Sequence, residues 1–114
     1  MQTAYLIVTV LTVVANLAIA LADVLRARFV LANSESVGVP ESWLVPLGLV
    51  KAAGAAGLLL GLAGVPLIGT AAAAGLVLFF VGAVLTHLRA CNYALAFPGA
   101  FLALAVAAFV LSLV

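Results

Sequence analysis

Residues 43–86 read WLVPLGLVKAAGAAGLLLGLAGVPLIGTAAAAGLVLFFVGAVLT, and Lys51 is the only charged residue among them. One membrane crossing needs roughly 20 apolar residues, because the hydrocarbon core is about 30 Å thick and a helix rises about 1.5 Å per residue. This stretch is therefore long enough for two crossings, and the glycines and proline of residues 61–66 mark the turn between them. We predict two antiparallel helices over 43–62 and 66–86 that pack side by side.

The rest of the chain has the same apolar character. Of its 114 residues, 69% are apolar and 6% are charged, whereas soluble domains are about half apolar and a quarter charged. Segments 4–22 and 94–114 are also apolar and long enough to cross a bilayer. The predicted fold class is an all-α membrane protein: one transmembrane domain over 1–114, a four-helix bundle with antiparallel neighbours.

The first segment has a second interpretation as a secretory signal peptide. Small residues at 18–22 resemble a cleavage site after an apolar run. However, residues 1–3 carry no positive charge, and the apolar run exceeds the usual length of about 7–15 residues. The pattern favours a retained first span.

Positive charges mark one side of the predicted bundle. Arg26 and Arg28 follow the first span and Arg89 follows the third, whereas the turn at 61–66 and the ends of the chain carry no Lys or Arg. Short cytoplasmic loops are enriched in Lys and Arg. We therefore expect a multi-pass membrane protein with connections 1–2 and 3–4 in the cytoplasm.

Lys51 lies eight residues after Trp43, and so roughly 12 Å inside the membrane if that tryptophan marks the interface. A lysine in a span costs about 2.5–3.5 kcal/mol on insertion scales, which makes it a candidate functional residue. Two structural alternatives stay open: its long side chain could reach the interface, or its ammonium could pair with a carboxylate between helices.

Further polar residues are predicted on the same side of the bundle. Thr9, Asn16 and Asp23 are seven residues apart and form a stripe on the first span, with Asn16 at about the depth of Lys51. Such residues can also act as hydrogen-bonding contacts between helices, and Asp23 could pair with Arg26 or Lys51. The candidate ligand-binding residues are Lys51, Asn16, Asp23, His87 and Arg89.

Cys91 is the only cysteine, which excludes an internal disulfide. It lies four residues after His87, so the two side chains would share a face if the helix continued through both. That arrangement could activate a thiolate or supply two metal ligands. A third ligand is missing from the pattern, so we predict no metal site.

Small residues predict close helix packing in the second and third spans. Gly57 and Gly61 form a GxxxG pair, which lets two helix backbones approach closely. The surface could serve the interior of the bundle, a homodimer or another membrane protein. The predicted packing residues are Gly54, Gly57, Gly61, Gly75 and Gly82.

Three stretches resemble the DoxX-like family of small bacterial membrane proteins: VPESWL at 39–44, GLVKAAGAAGL at 48–58 and GAVLTHLRA at 82–90. The resemblance covers nearly the whole chain and implies a four-helix bundle in the plasma membrane. In the family pattern the lysine and the His-x-Arg end of the third span correspond to Lys51, His87 and Arg89. The chain departs from the pattern at Cys91 and Asn92, where many relatives have Gly or Arg followed by an acid.

The resemblance leaves two classes of function open. Some members resemble subunits of quinone-linked thiosulfate oxidation or of oxidative-stress defence, and distant relatives assist receptor assembly. The first class is an accessory subunit of a membrane redox system that binds quinone as a possible cofactor, with donors at Lys51 and Asn16. The second is a noncatalytic scaffold or assembly chaperone. The sequence has no motif of a self-sufficient enzyme and no basic patch for nucleic acid; its expected partners are the lipid bilayer and a membrane protein or second copy.

Overall fold

The computed structural model of the protein describes residues 2–114, with residue 66 described by its backbone alone. The described residues form helices and connecting turns without a β-strand. The helices are α1 (Gln2–Val24), α2 (Arg28–Ser36), α3 (Leu44–Leu62), α4 (Pro66–Arg89) and α5 (Ala96–Leu113), and a 3-10 turn at Glu41–Trp43 leads into α3.

Four of these helices, α1, α3, α4 and α5, are long and apolar enough to cross a membrane. Large apolar side chains cover the outside of the molecule, for example Leu67 at 83% exposed and Leu78 at 73%. Such a surface is unfavourable in water and suits lipid tails. The longest dimension of 39 Å is sufficient for the hydrocarbon core. The predicted fold class is confirmed: the protein is an all-α, four-helix transmembrane bundle.

The four long helices form a closed ring. α1 packs against α3 and α5, and α4 packs against the same two helices on the opposite side. The start of α1 meets the end of α3, where the Tyr5 hydroxyl lies 3.4 Å from a Cβ built on Gly61. The end of α1 meets the start of α3 at Asp23 and Gly48. Neighbouring helices are therefore antiparallel, as predicted.

The core is divided into two clusters along the bundle. The larger one joins α1, α3, α4 and α5 through buried residues such as Val13, Leu58, Leu76 and Phe80. The smaller one consists of Ile19, Val30 and Leu44, and so includes a residue of α2. α2 is therefore attached to the end of the bundle by apolar packing.

The connection between the first two spans contains a short helix that was not predicted from the sequence. Arg26 adopts a left-handed φ of 54°, which ends α1 and directs the chain into α2. Val30 and Ser34, four residues apart, are both buried on one side of α2. The connection thus folds as a short helix across one end of the bundle.

Candidate functional site

A cavity of about 560 Å³ lies at the end of the bundle where α2 is located. All five helices contribute to its wall, and most of that wall is apolar. Its polar lining residues are Asp23, Asn33, Ser34, Lys51, Thr86 and His87. Its aromatic lining residues are Phe29, Trp43, Phe79, Phe80 and Phe97. The volume and the few convergent polar groups are typical of a small-molecule site.

Lys51 and Asp23 form an ion pair at the inner wall of this cavity. The Lys51 Nζ donates to Asp23 Oδ2 over 2.7 Å, and the side chains are only 12% and 4% exposed. Lys51 Nζ also lies 5.4 Å from the centre of the Phe79 ring, within the range of a cation–π contact. The two structural alternatives for Lys51 were a side chain that reaches the interface and a pair with a carboxylate between helices. The structure shows the second.

Gly48 brings the two helices close enough for this pair. A Cβ built on Gly48 would lie 2.9 Å from Asp23 Cβ and 3.0 Å from the Ala20 carbonyl oxygen. Real side chains do not approach so closely, so α1 could not keep its position against any other residue here. The sequence analysis did not identify Gly48 as a packing residue, because no GxxxG pattern marks it.

His87 connects α4 to α2 in the cavity wall. Its Nδ1 lies 2.9 Å from the Ala83 carbonyl oxygen, and its Nε2 lies 3.1 Å from Asn33 Oδ1. A neutral imidazole donates from one nitrogen only. If Nδ1 donates to the carbonyl, Nε2 must accept, and the Asn33 amide then presents its NH₂ group rather than its oxygen. The histidine is held in one orientation with its ring in the cavity wall.

Asn16 lies inside the bundle and is not among the cavity-lining residues. Its Nδ2 donates to the Thr12 carbonyl oxygen over 2.9 Å, whereas its Oδ1 has no partner. Thr9 Oγ1 is likewise buried without a partner. The stripe formed by Thr9, Asn16 and Asp23 does face inward, but only Asp23 reaches the cavity.

Arg89 and Cys91 lie outside the cavity at the end of α4. Arg89 is the last residue of that helix and is exposed. Cys91 has a left-handed φ of 57° and is also exposed, whereas His87 is buried. The helix therefore ends before Cys91, and the condition under which His87 and Cys91 would share a helix face is not met. Among the described residues, no group of three His, Cys, Asp or Glu side chains could hold a metal.

The glycines predicted for helix packing fall into two groups. Added Cβ atoms on Gly54, Gly57 and Gly61 would lie 2.6–2.7 Å from atoms of α4. These three residues therefore make the close contact between α3 and α4, and that surface is occupied within the chain. In contrast, Gly75 and Gly82 have no neighbour within 4 Å of an added Cβ, so they do not pack tightly in the chain. Gly82 instead lines the cavity.

The sequence analysis missed the contribution of α2. Phe29 and Asn33 are four residues apart and both line the cavity, as do Val30, Ser34 and Val37. The helical spacing of these residues is visible in the sequence. The segment is too short and polar to be a span, so hydropathy gives no signal for it.

Four antiparallel apolar helices around a cavity with polar side chains at one end define a multi-pass helical membrane protein with a candidate ligand site. The chain belongs to the DoxX-like family, whose profile matches residues 7–108. No curated protein and no solved structure matches the chain. The predicted family is confirmed, and the four-helix fold agrees with the fold that the resemblance to this family implied.

Proposed function

We propose that the protein binds a small, largely apolar ligand with a polar carbonyl group, such as a quinone, and serves as an accessory subunit of a membrane redox system. The cavity carries this proposal. Its volume of about 560 Å³ falls within the usual range of roughly 300–1,000 Å³ for ligand sites. Its aromatic side chains offer flat surfaces for a ring, and its polar groups are confined to a few positions.

The positions of the polar groups support a carbonyl ligand. The Lys51 ammonium has three N–H donors, of which one is used by Asp23. A second donor group, the Asn33 amide, lies in the cavity wall beside His87. A ring with two carbonyl groups could accept from both donor groups. Asn16 has no place in this binding scheme, because it lies outside the cavity.

The orientation in the membrane also belongs to the proposal. Arg26 and Arg28 lie in the connection that forms the cavity end, and Arg89 ends α4 on the same side. The opposite turn between α3 and α4 carries no Lys or Arg. With this charge bias, the cavity lies in the cytoplasmic half of a bacterial plasma membrane.

Filling the cavity tests the proposal. Gly82→Leu adds a side chain at a lining position where a Cβ meets no atom within 4 Å. We expect the variant to fold and to bind a dimethyl-naphthoquinone at least about tenfold more weakly than the unmodified protein, a loss of about 1.4 kcal/mol. The measurement is equilibrium binding to purified protein in detergent, followed by quenching of the single tryptophan, Trp43, at the cavity wall.

Gly75→Leu is the matched control for this experiment. Gly75 is on the same helix, has the same open space around an added Cβ, and does not line the cavity. We expect it to bind the quinone as the unmodified protein does. No binding by the unmodified protein, or equal binding by both leucine variants, would contradict the proposed function.

A further inference from the structure

The charges at the cavity wall cancel each other. Asp23 and Lys51 are the formally charged residues among the described side chains that line the cavity, and they are in direct contact at 2.7 Å. The ion pair is 4% and 12% exposed, so bulk water screens it weakly. A ligand that enters the cavity therefore meets a neutral dipole in place of a free cation.

This arrangement disfavours an anionic ligand. A carboxylate or enolate could approach the Lys51 ammonium only next to the Asp23 carboxylate, which already occupies one of its N–H groups. The ligand would lose its hydration and experience like-charge repulsion in an environment of low dielectric constant. A neutral carbonyl group loses less hydration, and it can still accept a hydrogen bond from a remaining N–H of the lysine.

The surroundings of the pair favour keeping the ammonium beside the carboxylate. Gly48 holds α1 against α3 at the level of Asp23, and the Phe79 ring lies on another side of the Lys51 ammonium at 5.4 Å. Lys51 would have to give up both contacts to meet an anion alone. The pair therefore acts as a fixed part of the cavity wall.

We propose that Asp23 determines the charge specificity of the site: by holding the Lys51 ammonium, it makes the cavity select neutral carbonyl ligands and reject anions of the same shape. This inference rests on the proposed ligand-binding function and goes beyond it by defining the accepted ligand class. It also assigns Asp23 a role separate from direct contact with the ligand.

Two probes of nearly equal shape test the inference. One is a naphthoquinone with two methyl groups on the quinone ring, and the other has one of these methyl groups replaced by a hydroxyl that is ionised at neutral pH. In both probes the quinone ring is fully substituted, which prevents addition of the Cys91 thiol. We expect the unmodified protein to bind the neutral probe about tenfold or more tightly than the anion.

Asp23→Asn should reverse this preference. The asparagine has nearly the same shape and can still accept from Lys51, but it leaves the positive charge without a counter-ion. The anionic probe then supplies that counter-ion, and we expect it to bind about tenfold more tightly than the neutral probe. Glu41→Gln is the matched control, because it removes a carboxylate that is 60% exposed and outside the cavity lining; its preference should equal that of the unmodified protein.

A second variant keeps the test decisive if Asp23→Asn does not fold. Asp23→Ser removes the same carboxylate with a smaller side chain, and we expect the same reversal toward the anionic probe. The double variant Asp23→Asn with Lys51→Gln has two neutral, hydrogen-bonding side chains and no unpaired charge, so it should keep the preference for the neutral probe. The inference would be wrong if the folded single variants kept the full neutral preference, or if the double variant preferred the anion as they do.

The outcome also separates this inference from the proposed function. If the unmodified protein binds the anion as tightly as the neutral probe or more tightly, the charge specificity fails while ligand binding in the cavity stands. If neither probe binds at all, the proposed function fails and the specificity inference fails with it.

Discussion

Lys51 reaches Asp23 across the contact between α1 and α3, three residues after a glycine that has no side chain to separate the helices. Burying two charges is costly, and their attraction repays that cost only when the geometry is good. The 2.7 Å contact satisfies this condition. Removing one partner therefore leaves an uncompensated charge, whereas removing both does not.

This asymmetry gives a prediction for stability. We expect Lys51→Met to lower the free energy of unfolding by on the order of 3 kcal/mol, and the double variant Lys51→Met with Asp23→Leu to recover most of that loss. Thermal unfolding in detergent, followed by the fluorescence of Trp43, measures both. Arg26→Met is the control: it breaks an exposed ion pair with Glu41 at 3.7 Å, and such pairs contribute about 0–1 kcal/mol. Equal losses of unfolding free energy for the single and double variants would show that the uncompensated charge is not the cause of the destabilisation.

At the scale of the element, the hairpin of α3 and α4 depends on direct contact between backbones. A Cβ built on Gly61 would lie 2.7 Å from the Gly69 Cα, and the backbone there cannot move independently of its helix. At Gly54 the obstacles are side-chain atoms of Leu76, with Cδ2 at 2.6 Å and Cγ at 2.8 Å. Identical substitutions along one helix face should therefore have different costs.

We expect Gly61→Ala to lower the free energy of unfolding by about 1–3 kcal/mol, because the two helices must separate to admit a methyl group. Gly54→Ala should cost less, since a side chain can shift by a smaller rearrangement than a helix backbone. Gly75→Ala meets no atom within 4 Å and should leave stability unchanged or raise it by up to about 1 kcal/mol, since alanine favours helix. Thermal unfolding of the three variants in one detergent provides the comparison; the reverse order would contradict this account of the hairpin.

α2 shows why not every helix could be predicted from the sequence. A periodic pattern of nine residues is short, and isolated helices of this length are marginal. α2 forms because Val30 packs with Ile19 and Leu44. Two hydrogen bonds also hold it: Asn33 pairs with His87 of α4, and Ser36 accepts from Asn92, which follows α4. Those partners are distant in the sequence, so local reading could not identify them.

At the scale of the whole molecule, the ring of four helices brings the connection with α2 and the connection after α4 to the same end. Cys91 lies exposed in the latter and is the only cysteine of the chain. Ala63 lies exposed in the α3–α4 turn at the opposite end. These two positions can report which end faces the cytoplasm.

We expect a membrane-impermeant maleimide to label Cys91 in bacterial cells only after the membrane is permeabilised, since the arginine-rich end should be cytoplasmic. In a Cys91→Ser background, Ala63→Cys should be labelled in intact spheroplasts. The measurement is a gel shift of the purified protein with a large maleimide reagent. Labelling of Cys91 in intact spheroplasts together with protection of Ala63→Cys would invert the proposed orientation.

The amino-acid sequence alone determined that the chain is a four-helix membrane protein, because span length and hydropathy are local properties that the bilayer imposes on every helix. It also pointed to Lys51, since a cation in an apolar span is conspicuous without knowledge of its neighbours. The choice between Arg26 and Lys51 as the partner of Asp23 was open in the sequence. It depends on which side chains meet across α1 and α3, and the contact at Gly48 decides it.

Only the tertiary structure separated the residues that share the cavity from those that do not. The sequence predicts similar depths for Asn16 and Lys51, yet the asparagine is enclosed between helices while the lysine lines the cavity. Likewise, Cys91 follows His87 by four residues, but α4 ends at Arg89 and Cys91 itself adopts a left-handed φ, with its side chain exposed. Depth follows from position along one helix, whereas access to a common cavity depends on how five helices rotate and pack against each other.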